Sequence, residues 1–128
     1  MRAVDTNVLV RLVVRDNARQ AASAEEFVAK GAWVSHLVLA EASWVLSQVY
    51  ELAAADIAKA IGMLLHHKSI ALQDADTVAA ALTHFLGKPS LGFSDCLALE
   101  TARKAGHLPL GSFDRNLSKL EGVERLSG

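Results

Sequence analysis

Four acidic side chains, widely separated along the chain, have types and positions that could support metal-dependent hydrolysis. Asp5 and Asp114 each follow a short apolar segment, whereas Glu41 and Asp95 lie near the starts of segments with helical hydrophobic spacing. Carboxylates gathered at one place repel one another and take up protons unless a cation neutralises them. Mg²⁺ and Mn²⁺ prefer oxygen ligands and leave coordination positions for water and substrate phosphate. We therefore expect Mg²⁺ or Mn²⁺ at a site that the four acids share.

Glu41 is the least expected of the four acids. It is the only residue with a formal charge between Gly31 and Glu51. Its neighbours three and four positions away are all apolar: Leu37, Val38, Trp44 and Val45. The pattern predicts that Glu41 projects toward apolar surroundings, where an unpaired carboxylate costs several kcal/mol. Glu41 should therefore be metal-bound, protonated, or paired with an arginine.

The other three acids each have a simpler structural interpretation. Aspartate is a preferred N-cap, so Asp5, Asp95 and Asp114 could each cap the helix that follows it. In the helix predicted after Ser94, Asp95 lies at the top of the inward apolar stripe, whereas Glu100 lies on the opposite face and is predicted to be solvated. The combination of four acids favours a site more than any one of them does.

The elements that must position these acids are those of an α/β fold. Short apolar segments predict strands at residues 3–4, 32–35, 69–72 and 108–111, with an edge strand at 123–126. The intervening segments have helical spacing, and the stretch 87–92 is predicted to be a loop. Strands that alternate with helices predict a three-layer sandwich around a central parallel sheet of four to five strands. The length predicts one domain, residues 1–128.

Composition excludes several functional classes. The net charge of −1 excludes a polybasic nucleic-acid binder, so phosphate contacts require a local basic patch. Candidates for phosphate binding are Arg11, Arg15, Lys88, Arg115 and Lys119, and the alternative for each is a solvated surface charge. Aromatic residues make up only 5%, which argues against a broad base-stacking platform, and Trp33 and Trp44 are predicted in the core or an interface. The lone Cys96, with no signal or membrane segment, predicts a cytoplasmic protein.

The ordered acids resemble the signature of PIN-domain nucleases. The motifs that carry the resemblance are Asp5-Thr6-Asn7, Glu41 in an apolar helix, Phe93-Ser94-Asp95 and Ser112-Phe113-Asp114. Size and element order are similar to the VapC toxins of bacterial and archaeal toxin–antitoxin pairs. Two departures concern the fourth strand, where Ser112 replaces a frequent threonine and Pro109 and Gly111 interrupt the β-branched pattern.

The resemblance implies a Mg²⁺- or Mn²⁺-dependent endoribonuclease that cleaves structured RNA, either tRNA or rRNA. The catalytic and metal-binding residues would be Asp5, Glu41, Asp95 and Asp114. Thr6 and Ser112 would support them. The resemblance also implies a VapB-like antitoxin as partner, a homodimer, and RNA products with 5′-phosphate and 3′-hydroxyl ends.

Three alternatives stay open at this point. A metal-free ribonuclease needs a histidine pair, and the five histidines show no such arrangement. A haloacid-dehalogenase-like phosphatase also has an aspartate after its first strand, but it needs a second one two residues later, where Asn7 stands. The third alternative is a catalytically silent PIN-like module that only binds a protein.

Overall fold

Helices and strands alternate along the chain in the computed structural model, which describes residues 1–128. The strands are β1 (Arg2–Ala3), β2 (Ala32–Val34), β3 (Ile70–Leu72), β4 (Leu110–Ser112) and β5 (Val123–Arg125). The helices are α1 (Thr6–Val14), α2 (Ala18–Ala29), α3 (His36–Gln48), α4 (Ala54–His66), α5 (Ala75–Gly87) and α6 (Phe93–Ala105). Two short 3₁₀ turns are present at Pro89–Leu91 and Leu117–Lys119. The predicted α/β class is confirmed.

All five predicted strands form and pair in parallel, but their regular pairing divides them into two sheets. The first sheet has the order β1-β2-β3, and the second contains β4 and β5. β1, which leads into Asp5, therefore lies at the edge of its sheet, and β2 lies at the centre. β1 has only two residues, and β4 begins just after Pro109, which cannot donate a ladder hydrogen bond. These short strands leave little backbone for continuous pairing.

Polar side chains begin three of the helices. Asp5, Asn17 and Ser35 each accept a hydrogen bond from the backbone N–H three residues later, at the starts of α1, α2 and α3. Such bonds satisfy N–H groups that lack a partner within the helix. Each cap immediately follows a strand or a turn, so it fixes the point at which the chain changes direction.

A core of 24 buried residues lies between the helices and the three-stranded sheet. The predicted inward face of α5 is confirmed, because the following residues are all buried: Val78, Ala81, Leu82 and Phe85. The predicted loop at 87–92 connects α5 to α6, and it contains a 3₁₀ turn that buries Leu91.

The two tryptophans were predicted in the core or an interface, and the core assignment is wrong. Trp33 is 38% exposed and Trp44 is 59% exposed. Trp33 points away from the packed face of β2, whose flanking residues Ala32 and Val34 are buried. No helix exceeds 13 residues, which is too short for a bilayer crossing.

Candidate functional site

Asp5 caps α1 and keeps part of its carboxylate free. The preceding Val4 extends β1 by donating its backbone N–H to the Trp33 carbonyl at 3.2 Å. Asp5 Oδ1 accepts the Val8 N–H at 3.1 Å, and Oδ2 makes no hydrogen bond with the protein. The exposed side chain lines an open pocket of about 350 Å³ together with Asn7 and Arg11. Capping therefore uses one oxygen of Asp5 and leaves the other available for a ligand.

Asp114 lies close enough to Asp95 for its charge to affect the ionisation of Asp95. Asp95 is in the first turn of α6, and Asp114 follows β4. Although Asp95 keeps solvent contact, neighbouring protein atoms desolvate its carboxyl and raise its pKa, and the negative charge of Asp114 raises that pKa further. The fold thus brings together two of the four predicted acids from distant parts of the sequence.

The turn that follows β4 fixes the Asp114 carboxylate. Asp114 Oδ1 accepts the backbone N–H groups of Asn116 at 2.8 Å and Leu117 at 2.9 Å. Ser112 Oγ accepts the backbone N–H of Asp114 at 3.0 Å, so this hydroxyl supports the turn and not the carboxylate directly. As with Asp5, one carboxylate oxygen of Asp114 holds the backbone and the other is free.

Glu41 does not lie in apolar surroundings, and that prediction is wrong. It is exposed and makes no salt bridge or hydrogen bond. The buried side of α3 is formed by other residues: Leu39, Ala42, Ser43 and Leu46. Leu37 and Trp44, two of the apolar neighbours on which the prediction rested, are themselves largely exposed. Glu41 therefore faces solvent beside Leu37 and Trp44 and is not buried among apolar side chains.

The buried acid of the structure is Glu100, which was predicted to be solvated. Its side chain is only 8% exposed, and it contacts two basic groups. His84 Nε2 lies 3.1 Å from Oε2, and Arg103 Nε donates to both carboxylate oxygens at 3.2 Å. Arg103 Nη2 also donates to the Glu121 carbonyl at 2.7 Å, which ties α6 to the segment before β5. The spacing of Glu100 and Arg103 could have indicated an ion pair, but the contact with His84 depends on the packing of α5 against α6.

Three of the predicted phosphate-binding residues have partners within the protein. Arg11 contacts Asp16 at 2.7 Å and the Tyr50 hydroxyl at 2.9 Å, and Arg15 contacts Glu25 at 2.8 Å. Lys88 Nζ donates to Asn116 Oδ1 at 3.0 Å. Arg115 and Lys119 are exposed and form no ion pair or hydrogen bond through their side chains. Arg115 adjoins Asp114 and is therefore the free cation nearest to the acids in sequence.

The oxygen donors present suit a hard divalent cation only in part. Nowhere do three or more His, Cys, Asp or Glu side chains lie close enough together to hold a metal ion. Asp95 and Asp114 nevertheless supply neighbouring carboxylates. Desolvation, and second the charge of Asp114, raise the pKa of Asp95, and a bound cation would oppose both effects. Asp95 and Asp114 are thus the two predicted acids that the structure places near each other, and a shared role for all four acids stays a prediction.

The raised pKa of Asp95 predicts a stability change with a defined pH dependence. Ionisation is less favourable in the folded than in the unfolded protein, so the ionised carboxylate destabilises the fold above both pKa values. This penalty disappears as the pH falls below the ordinary value of 3.8. Asp95→Asn should therefore raise Tm at pH 7 in EDTA, and the gain should vanish near about pH 3. Thermal denaturation followed by circular dichroism measures both values, and a lower Tm for the variant at pH 7 would contradict the prediction.

Lys88 and Asn116 are expected to position Asp114. The Lys88–Asn116 hydrogen bond joins the segment after α5 to the turn whose N–H groups hold the Asp114 carboxylate. Loss of an outer partner of a metal ligand commonly lowers metal affinity by about 10- to 100-fold. We expect Lys88→Met and Asn116→Ala each to weaken Mn²⁺ binding by about 10-fold.

The charge of Lys88 provides the control for this prediction. Removing a positive charge near carboxylates would by itself strengthen cation binding, which is opposite in sign to the expected effect. Lys119→Met removes an exposed lysine that makes no such bond. Calorimetry measures the Mn²⁺ affinity of each variant. If Lys88→Met and Asn116→Ala bind Mn²⁺ as tightly as Lys119→Met does, the Lys88–Asn116 hydrogen bond does not position Asp114.

Comparison with protein families identifies the class of this chain. The family model described as the PIN domain matches residues 2–123, so the chain belongs to the PIN-domain family. A comparison with curated proteins found no match. PIN domains are generally nucleases, and membership therefore indicates a hydrolase that acts on nucleic acids.

Proposed function

We propose that this protein is a Mg²⁺- or Mn²⁺-dependent endoribonuclease and the toxin of a VapBC-type toxin–antitoxin pair. Its substrate would be a structured RNA, either tRNA or rRNA. The observation that carries the proposal is the match of the PIN-domain family model to residues 2–123, and the nearness of Asp114 to Asp95 supports it. A divalent cation bound between neighbouring carboxylates would favour their ionised forms.

The proposed catalytic residues divide into two pairs. Asp95 and Asp114 would hold the divalent ion, and Asp5 and Glu41 would complete the acidic set with their free carboxylate oxygens. When bound, the ion lowers the pKa of a water molecule and stabilises charge on the phosphate. Thr6 and Ser112 would support the first and last acids with their hydroxyl groups, and the Ser112 hydroxyl accepts the backbone N–H of Asp114.

Arg115 is the residue that we assign to the RNA backbone. It is exposed, has no partner within the protein, and adjoins Asp114. A guanidinium can bind a phosphate through two parallel hydrogen bonds, which would orient the RNA next to the acids. Arg11, Arg15 and Lys88 would have to give up their present partners to make the same contact.

A long apolar groove fits the proposed antitoxin. It has a volume of about 670 Å³ and lies between α1 and α2 on one side and α4 on the other. Leu12, Val13 and Leu64 line it, and Met63 is 65% exposed there. An amphipathic helix of a VapB-like antitoxin could place its apolar face in such a groove.

The remaining proposals concern assembly and location. A homodimer would bury exposed apolar side chains outside this groove, such as Leu37 of α3 and Leu86 of α5. We also propose that residues 1–128 form a single PIN-like domain, which the continuous buried core supports. The single free cysteine is compatible with the cytoplasm, where we propose that the protein acts.

A catalytically silent module that binds a protein partner is the second candidate. The observation in its favour is that no three potential ligands converge. Family membership, by contrast, gives no support to the phosphatase alternative. A silent module would keep its effect in cells when Asp95 is replaced by Asn, whereas a nuclease would lose it.

The proposed activity is tested by incubating the purified protein with total RNA and mapping the new 5′ ends. We expect discrete cleavage sites with Mn²⁺, no cleavage in EDTA, and products with 5′-phosphate ends. Cleavage that continues in EDTA, or products with 2′,3′-cyclic phosphates, would contradict attack by metal-activated water.

A further inference from the structure

We propose that a pocket beside Asp95 binds one nucleobase of the RNA, with Trp44 as its stacking surface. This inference rests on the proposed ribonuclease function and adds a source of sequence preference to it. The pocket has a volume of about 180 Å³ and lies where α3, α4 and α5 meet the start of α6. Its lining includes Trp44, Ser47, Gln48, Phe85, Gly92 and Ser94.

The pocket opens next to Asp95, one of the acids proposed to be catalytic. Gly92 lines it with φ +79°, a conformation that glycine adopts readily, and a Cβ built on Gly92 would lie 4.0 Å from Asp95 Oδ2. Ser94 in the lining immediately precedes Asp95. On the opposite wall, Trp44 follows Glu41 by three residues and therefore lies on the same side of α3. A phosphate near Asp95 would place an adjoining base within reach of the pocket.

The lining has both properties that recognition of a base requires. Trp44 is 59% exposed, so its indole can accept a base without first losing core contacts. Ser94 makes no side-chain hydrogen bond, and Gln48 makes only a 3.4 Å contact with Ser47. These hydroxyl and amide groups can donate to and accept from the edge of an unstacked base.

The size and polarity of the pocket favour a base over a protein segment. Four of its twelve lining residues have polar side chains, and its volume is about a quarter of that of the α1–α2–α4 groove. A partner helix would bury more apolar surface in the larger groove. The low aromatic content argues against a broad stacking platform, but a single base pocket needs only one exposed tryptophan.

The two tryptophans allow the pocket to be tested directly by fluorescence. Trp33→Phe leaves Trp44 as the only indole, because the chain contains two tryptophans. We expect an RNA hairpin to quench Trp44 fluorescence in EDTA, where cleavage does not occur, and a hairpin with one abasic nucleotide in its loop to lose that quenching. Trp44→Phe, which leaves only Trp33, should show no quenching.

A cleavage assay measures the same contact through its effect on rate. Trp44→Ala should lower kcat/KM for the hairpin by about 10- to 100-fold, as expected for loss of one stacked base. The wild type should cut the abasic hairpin as slowly as Trp44→Ala cuts the intact hairpin. Trp44→Ala should cut the abasic hairpin no more slowly still, because both changes remove the same interaction. Trp33→Ala should cut the intact hairpin at the wild-type rate.

The outcomes separate the pocket from the proposed function. Quenching that depends on one base, without cleavage of any RNA, would retain the pocket and overturn the ribonuclease. RNA cleavage without quenching of Trp44 fluorescence would overturn the pocket and retain the ribonuclease. The same conclusion would follow if Trp44→Ala lowered kcat/KM by the same factor wherever in the hairpin loop the abasic nucleotide is placed. Sedimentation shows whether Trp44→Ala changes the protein from a dimer to a monomer. If it does, and the preference for one base is unchanged, Trp44 belongs to a subunit interface and the pocket is overturned.

Discussion

Asp5→Asn should lower RNA cleavage by about 100-fold while leaving the protein folded and stable. Asparagine caps helices as well as aspartate does, so the variant keeps an oxygen for the Val8 N–H. It loses only the negative charge, which a divalent ion requires. Initial rates on an RNA hairpin and urea denaturation measure the two effects separately.

Two further variants show what each result means for Asp5. Asp5→Ala removes the cap as well and should cost about 1 kcal/mol of the free energy of unfolding. Asp56→Asn removes an equal charge from the first turn of α4, outside the proposed site, and should cleave RNA at the wild-type rate. If Asp5→Asn cleaves RNA as fast as Asp56→Asn does, Asp5 acts only as a helix cap.

Glu100→Ala should lower the free energy of unfolding by about 2–3 kcal/mol. Removing one partner of a buried ion pair commonly costs about 3–5 kcal/mol, and His84 and Arg103 are each about one-third exposed, which reduces the loss. The variant would also release the Arg103 side chain that holds the Glu121 carbonyl. Urea denaturation monitored by circular dichroism gives the difference.

Matched changes distinguish the network from a general effect of charge. Glu124→Ala removes an exposed glutamate of β5 that forms no ion pair, and it should change stability by less than about 0.5 kcal/mol. Glu100→Gln keeps a hydrogen-bond acceptor, so its free energy of unfolding should lie between those of Glu100→Ala and Glu124→Ala. A Glu100→Ala protein as stable as Glu124→Ala would show that the buried contacts with His84 and Arg103 contribute no net stability.

The order of elements could be predicted because its signals are local. Apolar spacing along α5 identified its inward residues, and polar caps such as Ser35 lie next to the helices that they begin. Sheet continuity could not be predicted in the same way. Whether β4 pairs with the first sheet depends on strand length and on the packing of distant segments, neither of which is visible in one stretch of sequence.

Glu41 and Glu100 show why burial was harder to predict than secondary structure. Helical spacing states which side chains are neighbours, but not whether their shared face meets the core or solvent. The apolar neighbours of Glu41 are partly on the surface, so the acid is exposed. Glu100 is buried because α5 packs closely on α6 and presents His84, a contact across sixteen positions of the sequence.

The sequence predicts the acids of the candidate site but not the contacts that hold them. Motif order predicts that Asp95 and Asp114 share a site, and in the fold the charge of Asp114 raises the pKa of Asp95 in addition to the larger effect of desolvation. Sequence did not reveal that Asp5 and Asp114 each use one oxygen to hold the backbone, or that Lys88 bonds to Asn116. These contacts depend on turns whose geometry arises only when the whole chain is folded.

Mn²⁺ titration followed by electron paramagnetic resonance tests most directly whether these acids share a divalent ion. The wild-type protein, Asp95→Asn, Asp114→Asn and the control Asp56→Asn would be titrated under the same conditions. We expect saturable Mn²⁺ binding in the wild type and in Asp56→Asn, and its loss in both Asp95→Asn and Asp114→Asn. Equal Mn²⁺ binding by all four proteins would contradict a metal centre at Asp95 and Asp114.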